Sequence, residues 1–252
     1  MEDLKQIFNQ NLMTVIIERG ASMKKSNIKT IDFHSHILPG ADHGSDGVET
    51  SLAQLELMVK AGVDIVVSTT HFYPHRDTVE AFLSRRAKAA ELLANAKSDD
   101  IRVALGAEVY AVAGLEKLDG LEKLTIKGTN TMLLEMPTGY WNSNVIDTAL
   151  ALDSRFDVIL AHIDRYSSSE VNKLLEMGLR AQVNAGNILK NPNKKRVKDW
   201  LDEGAVWALG SDIHNVDEKA VKSFQKAQKL MKHDIEEIFS RTEKLISGAE
   251  LM

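Results

Sequence analysis

Short apolar runs alternate with segments of helical periodicity from residue 30 onward. The runs are rich in Val, Ile and Leu, and most of them end in a polar residue. Continuous apolar runs of this kind are typical of strands that are buried on both faces of a parallel sheet. The predicted strands cover residues 30–34, 64–70, 101–109, 132–135, 158–162, 180–184 and 206–211.

The segments between these runs carry apolar residues at helical spacing. In residues 48–61, Ser45 or Asp46 is expected to cap the helix and Gly62 to end it. The predicted helices cover residues 48–61, 79–96, 144–154, 168–177 and 193–203, with two more after Asp217. Repeated strand-helix units imply a parallel sheet with right-handed crossovers, and seven of them close most naturally into a barrel. We therefore predict an α/β fold of the (β/α)7 TIM-like barrel type.

Residues 1–28 precede the first predicted strand and are expected to form an extension to a barrel domain at 29–252. Apolar residues recur in the extension at helical spacing: Leu4, Ile7, Phe8, Leu12 and Ile16. This pattern predicts an amphipathic helix that ends near Gly20. We favour packing of this helix on the barrel over docking to a second subunit or to a membrane surface.

Composition and charge exclude several classes of function. The chain has 252 residues, a formal net charge of −5 and no cysteine. Interspersed charges leave no basic stripe for nucleic acid, and the absence of cysteine excludes disulfides and a thiolate nucleophile. No apolar run approaches the roughly 18 residues that a membrane span needs, and no secretory signal is present. We therefore expect a soluble, cytoplasmic protein, with its oligomeric state open.

Six of the seven predicted strands end in residue types that bind metal ions. His34 and His36 alternate along the first strand and so project from the same side. The carboxyl ends of barrel strands converge on one face, and carboxylates buried together there would repel one another without a cation. A single such residue is more often merely polar, but the recurrence favours a metal centre. The candidate ligands are His34, His36, His43, His71, Glu108, Glu135, His162, Asp212 and His214.

A set of short motifs spans residues 30–217 in a characteristic order. The motifs are His-Ser-His at 34–36, Ser-Thr-Thr-His at 68–71, Gly-Ala-Glu at 106–108, Leu-Glu at 134–135, Ala-His-Ile-Asp-Arg-Tyr at 161–166, Gln-Val-Asn at 182–184 and Ser-Asp-Ile-His-Asn at 211–215. Together they resemble the PHP (polymerase and histidinol phosphatase) superfamily, and most of all its bacterial manganese-dependent tyrosine phosphatases of capsule and exopolysaccharide loci. The resemblance implies a distorted (β/α)7 barrel with a trinuclear metal centre.

The resemblance also implies how the ligands are shared. It implies one metal on His34, His36, Glu108 and Asp212, a second on Glu135 and His162 with Glu108 bridging, and a third on His43, His71 and His214. Manganese is the expected metal, with iron and zinc as alternatives. The tyrosine-phosphatase branch has an acidic residue at the position of His43, whereas other PHP phosphoesterases resemble this chain in using histidine there.

Several residues are candidates for catalysis or substrate binding. Arg165 matches an arginine that contacts phosphate in the resembling enzymes, and a guanidinium suits bidentate phosphate binding. Asp212 and His43 are the other candidate catalytic residues, His43 as a proton donor if it is not a ligand. Lys219 stands where the resembling phosphatases carry a second arginine. His75 and Arg76 are further candidates for substrate binding, with a solvated turn as the alternative interpretation. Tyr140 and Trp141 are expected to wall a pocket for an aromatic phosphate, with ordinary loop anchors as the alternative.

Three functions are compatible with this sequence. The first is a metal-dependent protein-tyrosine phosphatase, with a bacterial tyrosine autokinase of polysaccharide synthesis or export as its partner. The second is a small-molecule phosphatase that acts on histidinol phosphate or a nucleotide-type ester. The third is a non-catalytic binding module stabilised by metal, which is disfavoured because every ligand position of the family holds a competent residue.

Overall fold

The computed structural model describes residues 28–190, 193–231 and 234–252. Within these ranges seven parallel strands lie side by side in chain order. They are β1 Ile31–Ser35, β2 Ile65–Phe72, β3 Arg102–Tyr110, β4 Thr131–Glu135, β5 Asp157–Leu160, β6 Arg180–Asn184 and β7 Val206–Gly210. This arrangement confirms the predicted α/β barrel. The predicted helix that ends near Gly20 lies outside the described residues.

Helices connect the strands and cover the outside of the sheet. They are α1 Val48–Ala61, α2 Val79–Ala96, α3 Ser143–Asp153, α4 Ser168–Glu176, α5 Ala185–Ile188, α6 Asn193–Asp202, α7 Glu218–Leu230 and α8 Ile235–Leu245. The sequence did not predict α5, because a single turn is too short to show a helical period. None of the helices in the described part of the chain is long and apolar enough to cross a membrane.

The two ends of α1 differ in how well they were predicted. Gly62 ends the helix as predicted, with a φ of 89° and its N–H directed to the last carbonyls. At the other end the cap residue is Gly47, which offers no side chain, so the prediction of a cap by Ser45 or Asp46 is wrong. The Ser45 hydroxyl instead donates a 3.0 Å hydrogen bond to the carbonyl of Gly47.

The barrel closes between β1 and the segment that follows β7. The backbone N–H of Asp212 donates to the carbonyl of His34 at 2.8 Å, and that of His36 donates to the carbonyl of Ile213 at 3.1 Å. Asp32 reinforces the joint, because its carboxylate accepts a 2.6 Å hydrogen bond from the hydroxyl of Ser211. Closure of the sheet therefore brings the candidate ligands of β1 next to Asp212.

The pairing of β3 and β4 is incomplete. β3 pairs with β2 along its length, but with β4 only from Glu108 to Tyr110. Residues 250–252 cover part of the remaining edge, since the backbones of Met252 and Val103 exchange hydrogen bonds of 3.0 and 3.1 Å. This patch lies toward the amino end of β3, whereas Glu108 lies toward its carboxyl end. β3 is thus paired on this edge with residues 250–252 toward its amino end and with β4 at its carboxyl end.

Candidate metal centre

The nine candidate ligands all lie around the opening at the carboxyl ends of the strands. Eight of them form overlapping groups in which one ligand atom from each residue lies within 4.8 Å of the others. The groups are His34–His36–Asp212, His34–Glu108–His162, His71–Glu108–Glu135 and His36–His71–His214. The exposed His43 completes the set from the loop after β1, with its ring stacked 4.8 Å from His71 and 4.7 Å from His214.

The innermost contact joins the two histidines of β1 to Glu108. The Nε2 atoms of His34 and His36 lie 3.1 Å apart. Glu108 Oε2 lies 3.1 Å from the first and 3.2 Å from the second. Asp212 Oδ1 completes the group at 3.6 and 3.5 Å from the same two nitrogens. All four side chains are buried or nearly so.

The partners behind these two rings fix where their protons lie. His34 Nδ1 is 3.1 Å from the amide oxygen of Gln182, and His36 Nδ1 is 2.8 Å from Asp42 Oδ2. Both partners are acceptors, so each Nδ1 carries a proton and each Nε2 is the ring atom that faces Glu108. A proton or a metal ion can occupy this side of each ring.

The pKa of His36 also indicates that this position favours a positive charge. Burial by itself would lower the pKa of His36, but hydrogen bonds with Asp212, Asp42 and Glu108 hold that pKa well above its ordinary value. A metal ion at this position would replace the proton, because both compete for the same lone pair.

Glu108 extends the cluster toward β4 and β5. Its Oε1 atom lies 2.8 Å from His162 Nε2, which is also 3.8 Å from Glu135 Oε1. Burial, together with the charge of Glu108, raises the pKa of Glu135 to about 7. Two carboxylates this crowded favour either a shared proton or a shared cation. The arrangement agrees with Glu108 as the bridging ligand between two metals.

His71 and His214 add two imidazoles to the cluster beside His36. The ring centroids of His71 and His214 lie 4.3 and 4.2 Å from that of His36. Burial and the neighbouring charge of His36 lower the pKa of His71 to about 3, and burial also lowers the pKa of His214. Both rings are therefore neutral near pH 7, which is the form that binds metals.

Three atoms of the cluster are buried without a hydrogen-bond partner among the described residues. They are His71 Nδ1, which lies 3.1 Å from Glu108 Oε2 without the geometry of a hydrogen bond, Glu135 Oε2 and His214 Nε2. An unpaired buried polar atom costs about 1–3 kcal/mol, so several in one place call for an explanation. Metal ions would satisfy all three, and imidazole with carboxylate is a donor set suited to manganese, iron or zinc. The residues therefore fit the metals that the sequence predicts.

Two candidate ligands have an unusual backbone conformation. His162 has a φ of 31° and Asp212 a φ of 53°, a region that side chains other than glycine rarely adopt. The backbone N–H of His162 is held by the amide oxygen of Gln182 at 2.7 Å. That of Asp212 is held by the carbonyl of His34. Strain of this kind concentrates at functional sites, where surrounding contacts maintain it.

Sequence reasoning assigned no role to the residues that support the ligands. Asp42 binds His36, Gln182 binds His34, the Tyr166 hydroxyl lies 3.2 Å from His162 Nδ1, and the Asn184 amide donates to Asp212 at 2.7 Å. Asp42 and Tyr166 lie in segments that follow strands, Asn184 is the last residue of β6, and Gln182 lies within β6. The only available signal was a polar side chain inside an apolar strand.

The predicted substrate residues are spread around the opening. The Arg165 guanidinium, 43% exposed, forms an ion pair with Asp212 Oδ2. His75 and Arg76 are exposed, and the Arg76 guanidinium lies 5.3 Å above the ring of Tyr73. Lys219 is exposed on the first turn of α7. Of these residues, Arg165 is thus the one that the structure places in contact with a candidate ligand.

The loop between β4 and α3 separates its two aromatic residues. Tyr140 is 87% exposed, whereas its neighbour Trp141 is only 2% exposed and belongs to the core. The expectation that both residues wall a substrate pocket therefore holds at most for Tyr140.

A parallel barrel with imidazoles and carboxylates at the carboxyl ends of its strands is the architecture of barrel-type metal-dependent hydrolases. Residues 30–246 match the family model for capsular polysaccharide synthesis, CpsB/CapC. The chain belongs to this CpsB/CapC family.

Curated relatives and a solved structure agree with this assignment. The tyrosine-protein phosphatase CpsB of Streptococcus pneumoniae is 33% identical over 213 residues, which cover 75% of this chain and 84% of the relative. CpsB of Streptococcus agalactiae serotype III is 32% identical over 206 residues, covering 74% and 84%. A structure from a study of YwqE from Bacillus subtilis and CpsB from S. pneumoniae, metal-dependent tyrosine phosphatases, matches with a TM-score of 0.71. It is 19% identical and covers 88% of this chain and 96% of that chain, which supports the fold.

Proposed function

We propose that this protein is a metal-dependent phosphomonoester hydrolase that removes phosphate from tyrosine in a protein. The observation that carries the proposal is the convergence of metal-binding atoms from His34, His36 and Glu108 beside the guanidinium of Arg165. Relatives of the chain that cover most of its length are named tyrosine-protein phosphatases, which supports this substrate class. The proposed catalytic unit is residues 29–252, with residues 1–28 as an extension.

The cluster has donors for three divalent cations, and we propose manganese as the most suitable metal, with iron and zinc as alternatives. Glu108 is the proposed bridge, because its two oxygens face different histidines. When bound, such cations neutralise phosphate charge and lower the pKa of water toward roughly 7, which supplies a nucleophile without cysteine.

The chain's own residues supply the positioning. Arg165 has five N–H donors, and the described residues include one partner for them, Asp212. Its exposed donors can bind the equatorial oxygens of a phosphate that lies over the cluster. A tyrosyl leaving oxygen has a pKa of about 10 and needs less protonation than an alkoxide. His43 stands at the edge of the cluster and is proposed as a ligand of the third metal.

The proposed partner is a phosphotyrosine protein, in particular a bacterial tyrosine autokinase of polysaccharide synthesis. The family's link to capsular polysaccharide synthesis supports this choice.

The function is tested by comparing kcat/KM for four kinds of substrate under the same manganese loading. These are phosphotyrosine peptides, phosphoserine peptides, histidinol phosphate and nucleoside monophosphates. We expect phosphotyrosine to be preferred, and elemental analysis to find more than one equivalent of transition metal. A preference of about tenfold for histidinol phosphate or a nucleotide would assign a small-molecule phosphatase instead.

A further inference from the structure

A groove lies between the loop that follows β4 and the segment that follows β5. It has a volume of about 510 Å³, and its lining includes Tyr140, Arg165, Tyr166, Ser167, Glu170 and Lys173. Two of these residues also contact candidate ligands, since Arg165 pairs with Asp212 and the Tyr166 hydroxyl lies 3.2 Å from His162 Nδ1. The groove therefore lies next to the metal centre, with Arg165 and Tyr166 between them.

One wall of the groove is fixed in place by Trp141. Its indole N–H donates to the carbonyl of Pro137 at 2.7 Å, and its backbone N–H donates to Glu170 Oε1 at 3.2 Å. The indole also packs edge-on against Tyr166, with ring centroids 5.1 Å apart. These contacts tie the loop between β4 and α3 to the helix on the other side. Because the groove is already formed, little ordering is needed when a ligand binds.

Tyr140 is exposed on this fixed loop. Gly139 has a φ of 104°, a conformation that favours glycine, and the turn leaves Tyr140 in solvent while Trp141 is buried. Packing does not explain a large aromatic side chain that is 87% exposed on an anchored loop. Rigid, amphipathic tyrosines of this kind are typical anchors in protein recognition.

The charges of the groove favour an acidic ligand. Arg165, which is paired with Asp212, and the exposed Lys173 carry positive charge, whereas Glu170 directs one carboxylate oxygen to the backbone of Trp141. A ligand with acidic side chains would complement this surface.

We propose that this groove binds the polypeptide that flanks the phosphotyrosine of the substrate. Tyr140 anchors an apolar part of the flanking chain, and Lys173 selects acidic side chains next to the phosphotyrosine. The proposal rests on the proposed function and adds to it a subsite that separates phosphoproteins from free phosphotyrosine.

The first test compares a phosphotyrosine peptide that has acidic flanking residues with p-nitrophenyl phosphate, which carries no flanking polypeptide. Tyr140→Ala should lower kcat/KM for the peptide about tenfold more than for p-nitrophenyl phosphate, mainly through KM. Leu92→Ala is the control, since Leu92 is 54% exposed on α2 and does not line the groove. It should leave both values unchanged.

The second test reverses the charge of the groove. Lys173→Glu should lower kcat/KM for the acidic peptide and raise it for a peptide with lysine flanks, each by about tenfold, with Lys88→Glu on α2 as the control. Binding of the same fluorescent peptides, followed by anisotropy, gives the comparison without turnover.

The groove assignment would be overturned if Tyr140→Ala lost activity equally toward p-nitrophenyl phosphate and the peptide, or if Lys173→Glu kept the peptide preference of the wild-type protein. Either result would leave the proposed function intact. If the wild-type protein hydrolysed none of the phosphate esters, the proposed function would fail, and peptide binding would still decide the role of the groove.

Discussion

Gln182 fixes His34 from behind the metal centre, with its Oε1 atom 3.1 Å from His34 Nδ1. The same oxygen accepts a 2.7 Å hydrogen bond from the backbone N–H of His162. One amide oxygen therefore orients a ligand on β1 and the strained backbone of a ligand after β5. Groups that orient metal ligands in this way strongly influence metal affinity.

Gln182→Leu should accordingly weaken metal binding by about 10- to 100-fold, because His34 loses the partner that directs its Nε2 lone pair. The measurement is a manganese titration followed by calorimetry, alongside thermal unfolding. Gln225→Leu provides the same substitution on α7, where Gln225 donates to the carbonyl of Lys60 far from the cluster. Equal affinity in both variants would contradict this role for Gln182.

Glu108 should be the least replaceable ligand, because its two oxygens face histidines on opposite sides. Glu108→Gln removes the charge with little change in shape and should lower kcat for an aryl phosphate by at least about a hundredfold. The control is Glu122→Gln, at an exposed position of the 3-10 segment Leu121–Leu124. Retention of normal activity and metal content by Glu108→Gln would place the bridge elsewhere.

Two substitutions can distinguish whether His43 is a metal ligand or a proton donor. If it is a ligand, His43→Asp should retain metal and activity, whereas His43→Ala should lose about tenfold or more in both. Metal content and kcat are measured on the same preparations. Full metal occupancy in His43→Ala together with a low rate would instead identify a proton donor.

Gly44 allows the support of the cluster to be tested without removing a polar group. A Cβ atom at this position would collide with the Cβ and carbonyl of His36. Gly44→Ala should therefore displace the loop that carries Asp42 and His43, lower the free energy of unfolding by about 1–3 kcal/mol and weaken metal binding.

Gly47→Ala is the matched control for Gly44→Ala, since nothing lies within 4 Å of its added Cβ and its φ of −174° suits any residue. Denaturant titration and metal analysis of both variants give the comparison. Similar results for the two glycines would show that contact with His36 is unimportant.

The fold was largely predictable because its signal is local. Each strand is an apolar run, and the predicted bounds of β6 at 180–184 agree with the structure. The cap of α1 was not predictable in the same way. Ser45 was chosen for its residue type, but its hydroxyl is used between the carbonyl of Gly47 and the hydroxyl of Ser51. Such a choice depends on loop geometry that residue type does not encode.

The candidate ligands could be located from the sequence because strand ends are visible in it and barrel geometry brings them together. Their supports could not, since Gln182 and His34 are 148 positions apart and no spacing links them. The left-handed backbone of His162 and Asp212 was equally hidden, because neither residue is a glycine. These features arise from tertiary contacts rather than from local preference.

Residues 250–252 stabilise the end of the barrel that lies opposite the metal centre. They complete the edge of β3 around Val103, at the opposite end of the strand from Glu108. Substitutions at this seam, the pairing of residues 250–252 with β3, would change the free energy of unfolding without altering the groups proposed to bind the phosphate. The seam is therefore a place where natural variation or protein engineering can adjust the durability of the protein independently of its chemistry.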